Sequence, residues 1–160
     1  MTRDDVLAAT GEAVVAAQQL ADHVERLRGS MDRALPTTGD AIVRWRDEER
    51  ERPHALLRMF DRLYDLTSRK LFRGLLFLSG KTIAGLSAQN QFRRVEALGG
   101  IASAERWIEL AATRNVLAHD DPTRPVEQAA RANLAWREFI DLIAGTRQTI
   151  SLLRTEGLIS

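Results

Sequence analysis

Apolar residues recur along most of the chain at spacings of three and four, which is the period of an amphipathic α-helix. The first such segment follows Thr2, a residue type that caps helices, and Gly29 predicts where it ends. The seam of this predicted helix consists of Val6, Thr10, Ala13, Ala17, Leu20, Val24 and Leu27. A loop is predicted over 29–40, where glycine, proline and threonine cluster.

A second helical region is predicted over about 40–78. Pro53 interrupts it, either as a kink or as the first position of a new helix. Beyond Pro53 one broad apolar face is predicted, made of Leu56, Leu57, Phe60, Leu63, Tyr64, Thr67, Leu71, Leu75 and Leu78. The segment 79–87 has the composition of a connector.

Three further helices complete the prediction. A short one over 88–98 ends at Gly99, and the next begins after Ser103 and continues to about His119. A turn is predicted over 120–124, and Pro125 suits the first position of a last helix. Since no run alternates in the manner of a strand, the pattern predicts an all-α bundle of five or six helices in a single domain over 1–160.

Composition excludes several classes of protein. The 160 residues include no cysteine, which excludes disulfide frameworks and thiolate metal sites. His23 and His54 share no metal-binding spacing with an acid, so no metal or cofactor is predicted. No apolar stretch is long enough to span a membrane, and the N-terminal residues lack the apolar core of a signal peptide. We therefore expect a soluble cytoplasmic protein with no membrane partner.

The formal net charge of +1 argues against a protein that coats nucleic acid by bulk charge, but it leaves room for a local basic face. Of 23 basic residues only Lys70 and Lys81 are lysine. Four arginines fall on one side of the second helical region: Arg58, Arg62, Arg69 and Arg73. They predict either a stripe that follows RNA phosphates or a solvated face with an Asp65–Arg69 pair, and we favour the solvated face.

The helix predicted over 104–119 carries an inconsistency. Arg114 falls in the middle of its apolar stripe, where an arginine is costly unless it has a partner or lines a wet cleft. Asn115 and His119 are four residues apart and therefore neighbours on a helix. A fixed cation, an amide and an imidazole suit phosphodiester chemistry. The alternatives are that Arg114 is paired in a helix–helix interface and that His119 only favours the helix C-terminus.

The string RNVLAH at 114–119 matches the R-x4-H motif of the HEPN superfamily, in which a polar residue often follows the arginine, as Asn115 does here. The wider segment 92–122, with Trp107 and Pro122, resembles the HepT-like toxin branch of that superfamily. The segment 61–78 resembles the same branch more loosely. The resemblance covers about 30 residues closely, within an all-α chain of suitable length.

The resemblance implies a HEPN-type bundle that forms a homodimer, with the R-x4-H helices of two copies meeting across a cleft. It implies a metal-independent endoribonuclease toxin in which the RNA 2′-OH attacks the adjacent phosphate. His119 is then the expected acid/base, Arg114 the phosphate binder and Asn115 the residue that orients one of them. The implied partner is a minimal nucleotidyltransferase of the MNT type, which acts as the antitoxin.

One position departs from the family pattern. Many HepT-like proteins have a tyrosine two residues after the histidine, which the partner modifies, whereas this chain has Asp121 there and Tyr64 as its only tyrosine. Inhibition by modification at that position is therefore impossible. Two further hypotheses stay open: a non-catalytic subunit that binds a nucleotidyltransferase or its substrate, and a structural helical module whose motif is a packed ion pair.

Overall fold

The computed structural model describes residues 1–119 and 122–159, and within these ranges it is all-helical, as the periodicity predicts. The helical segments are α1 (Arg3–Ser30), α2 (Gly39–Ile42), α3 (Asp47–Asp65), a π-helical segment (Leu66–Leu71), α4 (Phe72–Leu78), α5 (Ala88–Leu98), α6 (Ala104–Ala118) and α7 (Pro125–Thr155). Because α3, the π-helical segment and α4 follow one another without a break, they form one long rod. Five such rods and the one-turn α2 agree with the predicted five or six helices.

The predicted start of α1 is confirmed. The Thr2 hydroxyl accepts a hydrogen bond from the backbone N–H of Asp5, and the Asp5 carboxylate accepts one from the backbone N–H of Thr2. The bond from the Thr2 backbone N–H to the carboxylate, aided by a hydrogen bond from the Thr2 side chain, holds the pKa of Asp5 below its ordinary value. The helix ends at Ser30, one residue beyond the predicted stop at Gly29. Its buried face includes the predicted Val6, Thr10, Ala13, Ala17 and Val24.

The structure excludes one of the two alternatives predicted for Pro53. Pro53 is buried inside α3, which begins at Asp47 after an Arg46 cap, so it does not open a new helix. Within the predicted loop over 29–40, the Thr38 hydroxyl accepts from the backbone N–H of Ala41 and caps the short α2.

The other predicted boundaries agree closely with the structure. The connector over 79–87 is confirmed, and α5 ends at Leu98 before the predicted Gly99, whose φ of +88° lies in the left-handed region that favours glycine. The Ser103 hydroxyl caps α6 by accepting from Arg106 N–H, and Pro125 opens α7. Of the predicted turn over 120–124, Asp120 and Asp121 lie outside the described residues.

An aromatic cluster fixes α6 against the rest of the bundle. The ring of Trp107 lies 4.7 Å from that of Phe72 and 6.0 Å from those of Phe92 and Tyr64, centroid to centroid. On the α7 side the same indole packs on Gly145, where an added Cβ would come within 2.5 Å of it. Trp107 is 3 % exposed. The end of α6 that carries Arg114 is therefore positioned from two turns away by a rigid anchor.

No helix in the part of the chain that the structure describes combines the length and the apolar character that a membrane crossing requires.

Candidate functional site

Arg114 crosses from α6 to α3 and binds two carboxylates there. Its Nε atom lies 2.7 Å from Oδ1 of Asp61, and its Nη2 atom lies 3.4 Å from Oδ1 of Asp65. The guanidinium carbon is 5.9 Å from the centroid of the Tyr64 ring. The Arg114 side chain is 25 % exposed, so it is neither sequestered nor free in solvent. The arginine on the apolar stripe thus has its partners in a helix–helix contact, as one of the sequence alternatives predicts.

Arg114 and Asn115 also line a cleft of about 320 Å³, here called the Arg114 cleft. Its other walls come from α3, the π-helical segment, α4, the connector, α5 and α6: Tyr64, Asp65, Ser68, Arg69, Arg73, Leu86, Ala88, Gln91, Phe92 and Ala111. Three arginines and one aspartate are the charged residues of this lining. The cleft is therefore net positive, which suits an anionic ligand such as a phosphodiester.

A second cleft adjoins the same ion pair. It has a volume of about 270 Å³, is here called the His54 cleft, and is lined by His54, Leu57, Arg58, Asp61, Leu117 and Ala118. Asp61 lines this cleft and Arg114 lines the other one, so the Asp61–Arg114 pair connects the two clefts. The C-terminal end of α6 therefore has a cavity on each side of the arginine.

The structure places His119 at the end of α6 rather than in either cleft. It is the C-cap residue of the helix, its side chain is exposed, and its carbonyl accepts a hydrogen bond from Arg131 Nη1 at 2.9 Å. Within one chain, Arg114 and Asn115 are thus brought to one cleft, while His119 is on the adjoining surface one helical turn away from Asn115.

The predicted arginine stripe is divided by the structure. All four side chains are exposed, but Arg69 and Arg73 line the Arg114 cleft, Arg58 lines the His54 cleft, and Arg62 lines neither. The predicted Asp65–Arg69 pair is confirmed, with Arg69 Nε at 3.6 Å from Asp65 Oδ1. Arg58 and Arg62 belong to α3, whereas Arg69 is in the π-helical segment and Arg73 in α4, so the four arginines lie at different positions along the rod.

Three residues of the site were not predicted as site residues from the sequence. The spacing of four between Asp61 and Asp65 places both on one face of α3, and this much is visible in the sequence. Their pairing with Arg114 is not visible there, because it depends on how α3 and α6 cross. The third is Gln91, whose Nε2 donates to the carbonyl of Ser68 at 2.9 Å and so holds α5 to the π-helical segment across the floor of the Arg114 cleft.

Tyr64 lines the Arg114 cleft, and the pKa of its phenol differs from the ordinary value. It is buried, and burial raises the pKa of its phenol, opposed by a hydrogen bond from Ser68 and by the positive charge of Arg114. The phenol therefore stays protonated at neutral pH and can act there as a neutral hydrogen-bonding group.

Within residues 1–119 and 122–159 no group of three histidine, aspartate or glutamate side chains is arranged to hold a metal ion. Comparison of the chain with family models, with curated proteins and with solved structures finds no match.

Proposed function

We propose that this protein is a metal-independent endoribonuclease toxin of the HEPN/MNT type, with its active centre at Arg114, Asn115 and His119. The observation that carries the proposal is the Arg114 cleft, in which the motif arginine and the residue after it share a cavity with Arg69 and Arg73. Arginine forks bind phosphate through paired, charge-assisted hydrogen bonds, so a cleft with three of them suits a phosphodiester backbone such as that of RNA.

The reaction is transesterification at one phosphodiester. The 2′-oxygen of the ribose bonds to phosphorus, the bond from phosphorus to the 5′-oxygen breaks, and a 2′,3′-cyclic phosphate and a 5′-hydroxyl result. His119 takes the proton of the 2′-OH or returns one to the leaving 5′-oxygen. Arg114 stabilises the charge that develops on the phosphate oxygens, and Asn115 orients one of the two.

The carboxylates beside Arg114 have a positioning role in this proposal. Asp61 and Asp65 use the Nε and Nη2 atoms of Arg114, and a guanidinium has five N–H donors, so hydrogen bonds remain for a phosphate oxygen. The same carboxylates repel phosphate, and Arg69 and Arg73 offset them in the lining of the cleft. Holding the fork in one orientation before substrate arrives lowers the entropy cost of binding the phosphate.

A second copy of the chain completes the proposed site. One side of α6 remains exposed near the motif, where Ala112, Asn115, Val116 and His119 follow one another along the helix. Packing of two such faces brings the imidazole of one copy toward the Arg114 cleft of the other, which neither chain achieves alone. The proposed assembly is therefore a homodimer with its sites at the interface.

The proposed regulatory partner is a minimal nucleotidyltransferase of the MNT type. Because Asp121 stands where related toxins have a tyrosine, we propose that this partner inhibits by binding rather than by modifying that position. Occlusion of the exposed α6 face would be sufficient, since it would block both dimerisation and RNA entry.

One observation favours a second candidate, a purely structural role for the motif. The Asp61–Arg114–Asp65 cluster satisfies the arginine without any ligand. In that case Arg114 contributes only to the α3–α6 contact, and the protein is either a structural helical module or a non-catalytic subunit that binds a nucleotidyltransferase or its substrate.

Expression in a bacterial host, alone and together with a neighbouring nucleotidyltransferase gene, separates the two candidates. The ribonuclease proposal predicts growth arrest and broken cellular RNA from the wild-type chain alone, rescue by the partner, and no arrest from folded Arg114→Lys or His119→Ala protein. Intact RNA with well-expressed, folded wild-type protein would overturn it in favour of the binding subunit.

A further inference from the structure

A cavity of about 130 Å³ lies where the start of α3 meets the start of α7, next to Trp45. Its apolar walls include Ile42, Trp45 and Leu57, and its polar rim includes Arg50, His54 and Arg131. Its volume is well below the roughly 300–1,000 Å³ of pockets that take drug-sized ligands. The cavity therefore suits a single ring system whose charged group remains outside.

We infer that this Trp45 cavity is a nucleobase-binding site that takes a base of the RNA whose phosphate lies at Arg114. The inference rests on the proposed ribonuclease function and adds a base subsite to it. A tryptophan beside an apolar floor offers a stacking surface to any base, and Arg50 at the rim offers hydrogen bonds to base edges or phosphate. A nucleotide matches both features of the cavity: its base is planar with apolar faces that can stack, and its phosphate is anionic.

The position of the cavity relative to the motif supports this occupant. His54 and Leu57 line both the Trp45 cavity and the His54 cleft, so the two spaces share a wall. The His54 cleft in turn reaches the Asp61–Arg114 pair. The three spaces follow α3 in one line, in the order Trp45 cavity, His54 cleft, Arg114 cleft, and each has at least one arginine in its lining.

A second connection joins the cavity to His119. Arg131 lines the cavity and donates from Nη1 to the His119 carbonyl at 2.9 Å. Gln128, another lining residue, donates to the carbonyl of Pro122. Both bonds hold a backbone carbonyl, that of His119 or that of Pro122, next to a residue of the cavity lining. A base bound there would therefore lie near the backbone at the C-terminal end of α6.

The side chain of Trp45 is half-buried and also lines a smaller cavity of about 50 Å³ with Met31 and Arg52. The other tryptophans differ in this respect: Trp107 is buried in the aromatic cluster, and Trp136 lies under the guanidinium of Arg28 at 4.3 Å. Trp136 is therefore a suitable control.

The test follows the indole N–H signals of the three tryptophans by NMR in wild-type protein labelled with ¹⁵N, with assignment from the Trp45→Phe and Trp136→Phe variants. The probes are the four ribonucleoside 5′-monophosphates, with ribose 5-phosphate as the ligand that lacks a base. We expect a saturable shift of the Trp45 signal with nucleotide and none with ribose 5-phosphate. We expect Trp45→Ala to weaken nucleotide binding about 5- to 150-fold, the range for loss of one base–aromatic stack.

Equal shifts from ribose 5-phosphate would overturn the inference in favour of a simple anion site, and the absence of a Trp45 shift with every nucleotide would overturn it outright. Trp136→Phe should leave nucleotide affinity unchanged. Arg50→Gln, on the exposed rim, gives a second variant should Trp45→Ala fail to fold, and it should weaken nucleotide binding severalfold. If nucleotides bind as expected but no RNA is cleaved, the proposed function is wrong and the nucleotide site remains. If RNA is cleaved but no nucleotide binds, the nucleotide site is wrong and the proposed function remains.

Discussion

Arg114 Nε on α6 and Asp61 Oδ1 on α3 lie 2.7 Å apart, and this pair joins the motif helix to the rod that carries most of the surrounding arginines. The pair has two consequences. It contributes to the contact between two helices, and it fixes the direction of the arginine side chain of the motif.

The first prediction concerns the strength of this pair. Because Arg114 is 25 % exposed and Asp61 is 45 % exposed, solvent screens the interaction, and we expect a coupling energy of about 0.5–1.5 kcal/mol. A double-mutant cycle of Arg114→Ala and Asp61→Ala, read by urea denaturation, measures it. An Arg46→Ala and Glu49→Ala cycle, on a far more exposed pair, is the matched control and should give less. Additive effects at Arg114 and Asp61 would contradict the account.

The second prediction uses the division of the arginine stripe. Arg69→Gln and Arg73→Gln should each weaken RNA binding and reduce the salt dependence of the binding constant by about one phosphate contact, because both residues line the Arg114 cleft. Arg62→Gln removes the same charge from an exposed residue that lines neither cleft, and it should have a smaller effect on affinity. Equal losses from all three variants, measured by fluorescence anisotropy with a short RNA, would show that the cleft has no special role.

The third prediction concerns pH. Burial raises the pKa of Tyr64 above its ordinary value of 10.0, so the folded state holds the phenolic proton more tightly than the unfolded state. Its contribution to folding is accordingly full below pH 10 and is lost as the pH rises through the folded-state pKa. Tyr64 is the only tyrosine, so the ultraviolet absorbance of tyrosinate reports it alone.

We expect the Tyr64 titration of the folded protein to lie above that of free tyrosine and Ser68→Ala to move it higher, because the Ser68 hydrogen bond lowers this pKa. An ordinary titration near 10 in the folded protein would mean that the wall of the Arg114 cleft is more open than described.

The fourth prediction tests the anchor of α6. Gly145→Ala places a Cβ within 2.5 Å of the Trp107 ring, and we expect it to lower the free energy of unfolding by about 1–3 kcal/mol. Gly11→Ala, in the middle of α1 with no atom within 4 Å of the added Cβ, should instead raise it by about 0.5–1 kcal/mol. Thermal and urea denaturation measure both. A Gly145→Ala protein as stable as wild type would mean that α7 does not fix Trp107.

The sequence predicted the helices well because their ends have local causes. Thr2, Ser103, Gly99 and Pro125 act within a turn of their own position, so spacing and residue type were sufficient to place α1, α5, α6 and α7. At Pro53 the sequence left two alternatives open, and the structure places this residue inside α3 rather than at the start of a new helix.

The site was predictable only in part, and the reason is again physical. Arg114 could be singled out from the sequence because a charged residue on the apolar stripe of a helix is recognised from the spacing along that one helix. Its pairing with Asp61 and Asp65 depends on the crossing of α3 and α6, which no spacing along one helix reveals. The π-helical segment over Leu66–Leu71 changed the phase of the arginine stripe, and an assumed 100° per residue could not anticipate that change.

Cleavage of RNA by purified protein in the presence of EDTA tests the central claim most directly, with the product ends identified by mass spectrometry. The account predicts fragments with 2′,3′-cyclic phosphate and 5′-hydroxyl ends from the wild-type chain. It predicts a loss of at least about 100-fold in rate for His119→Ala, the usual contribution of a positioned acid/base, and a comparable loss for Arg114→Lys, with both variants folded. Intact RNA with the folded wild-type protein, or cleavage that survives both substitutions, would contradict it.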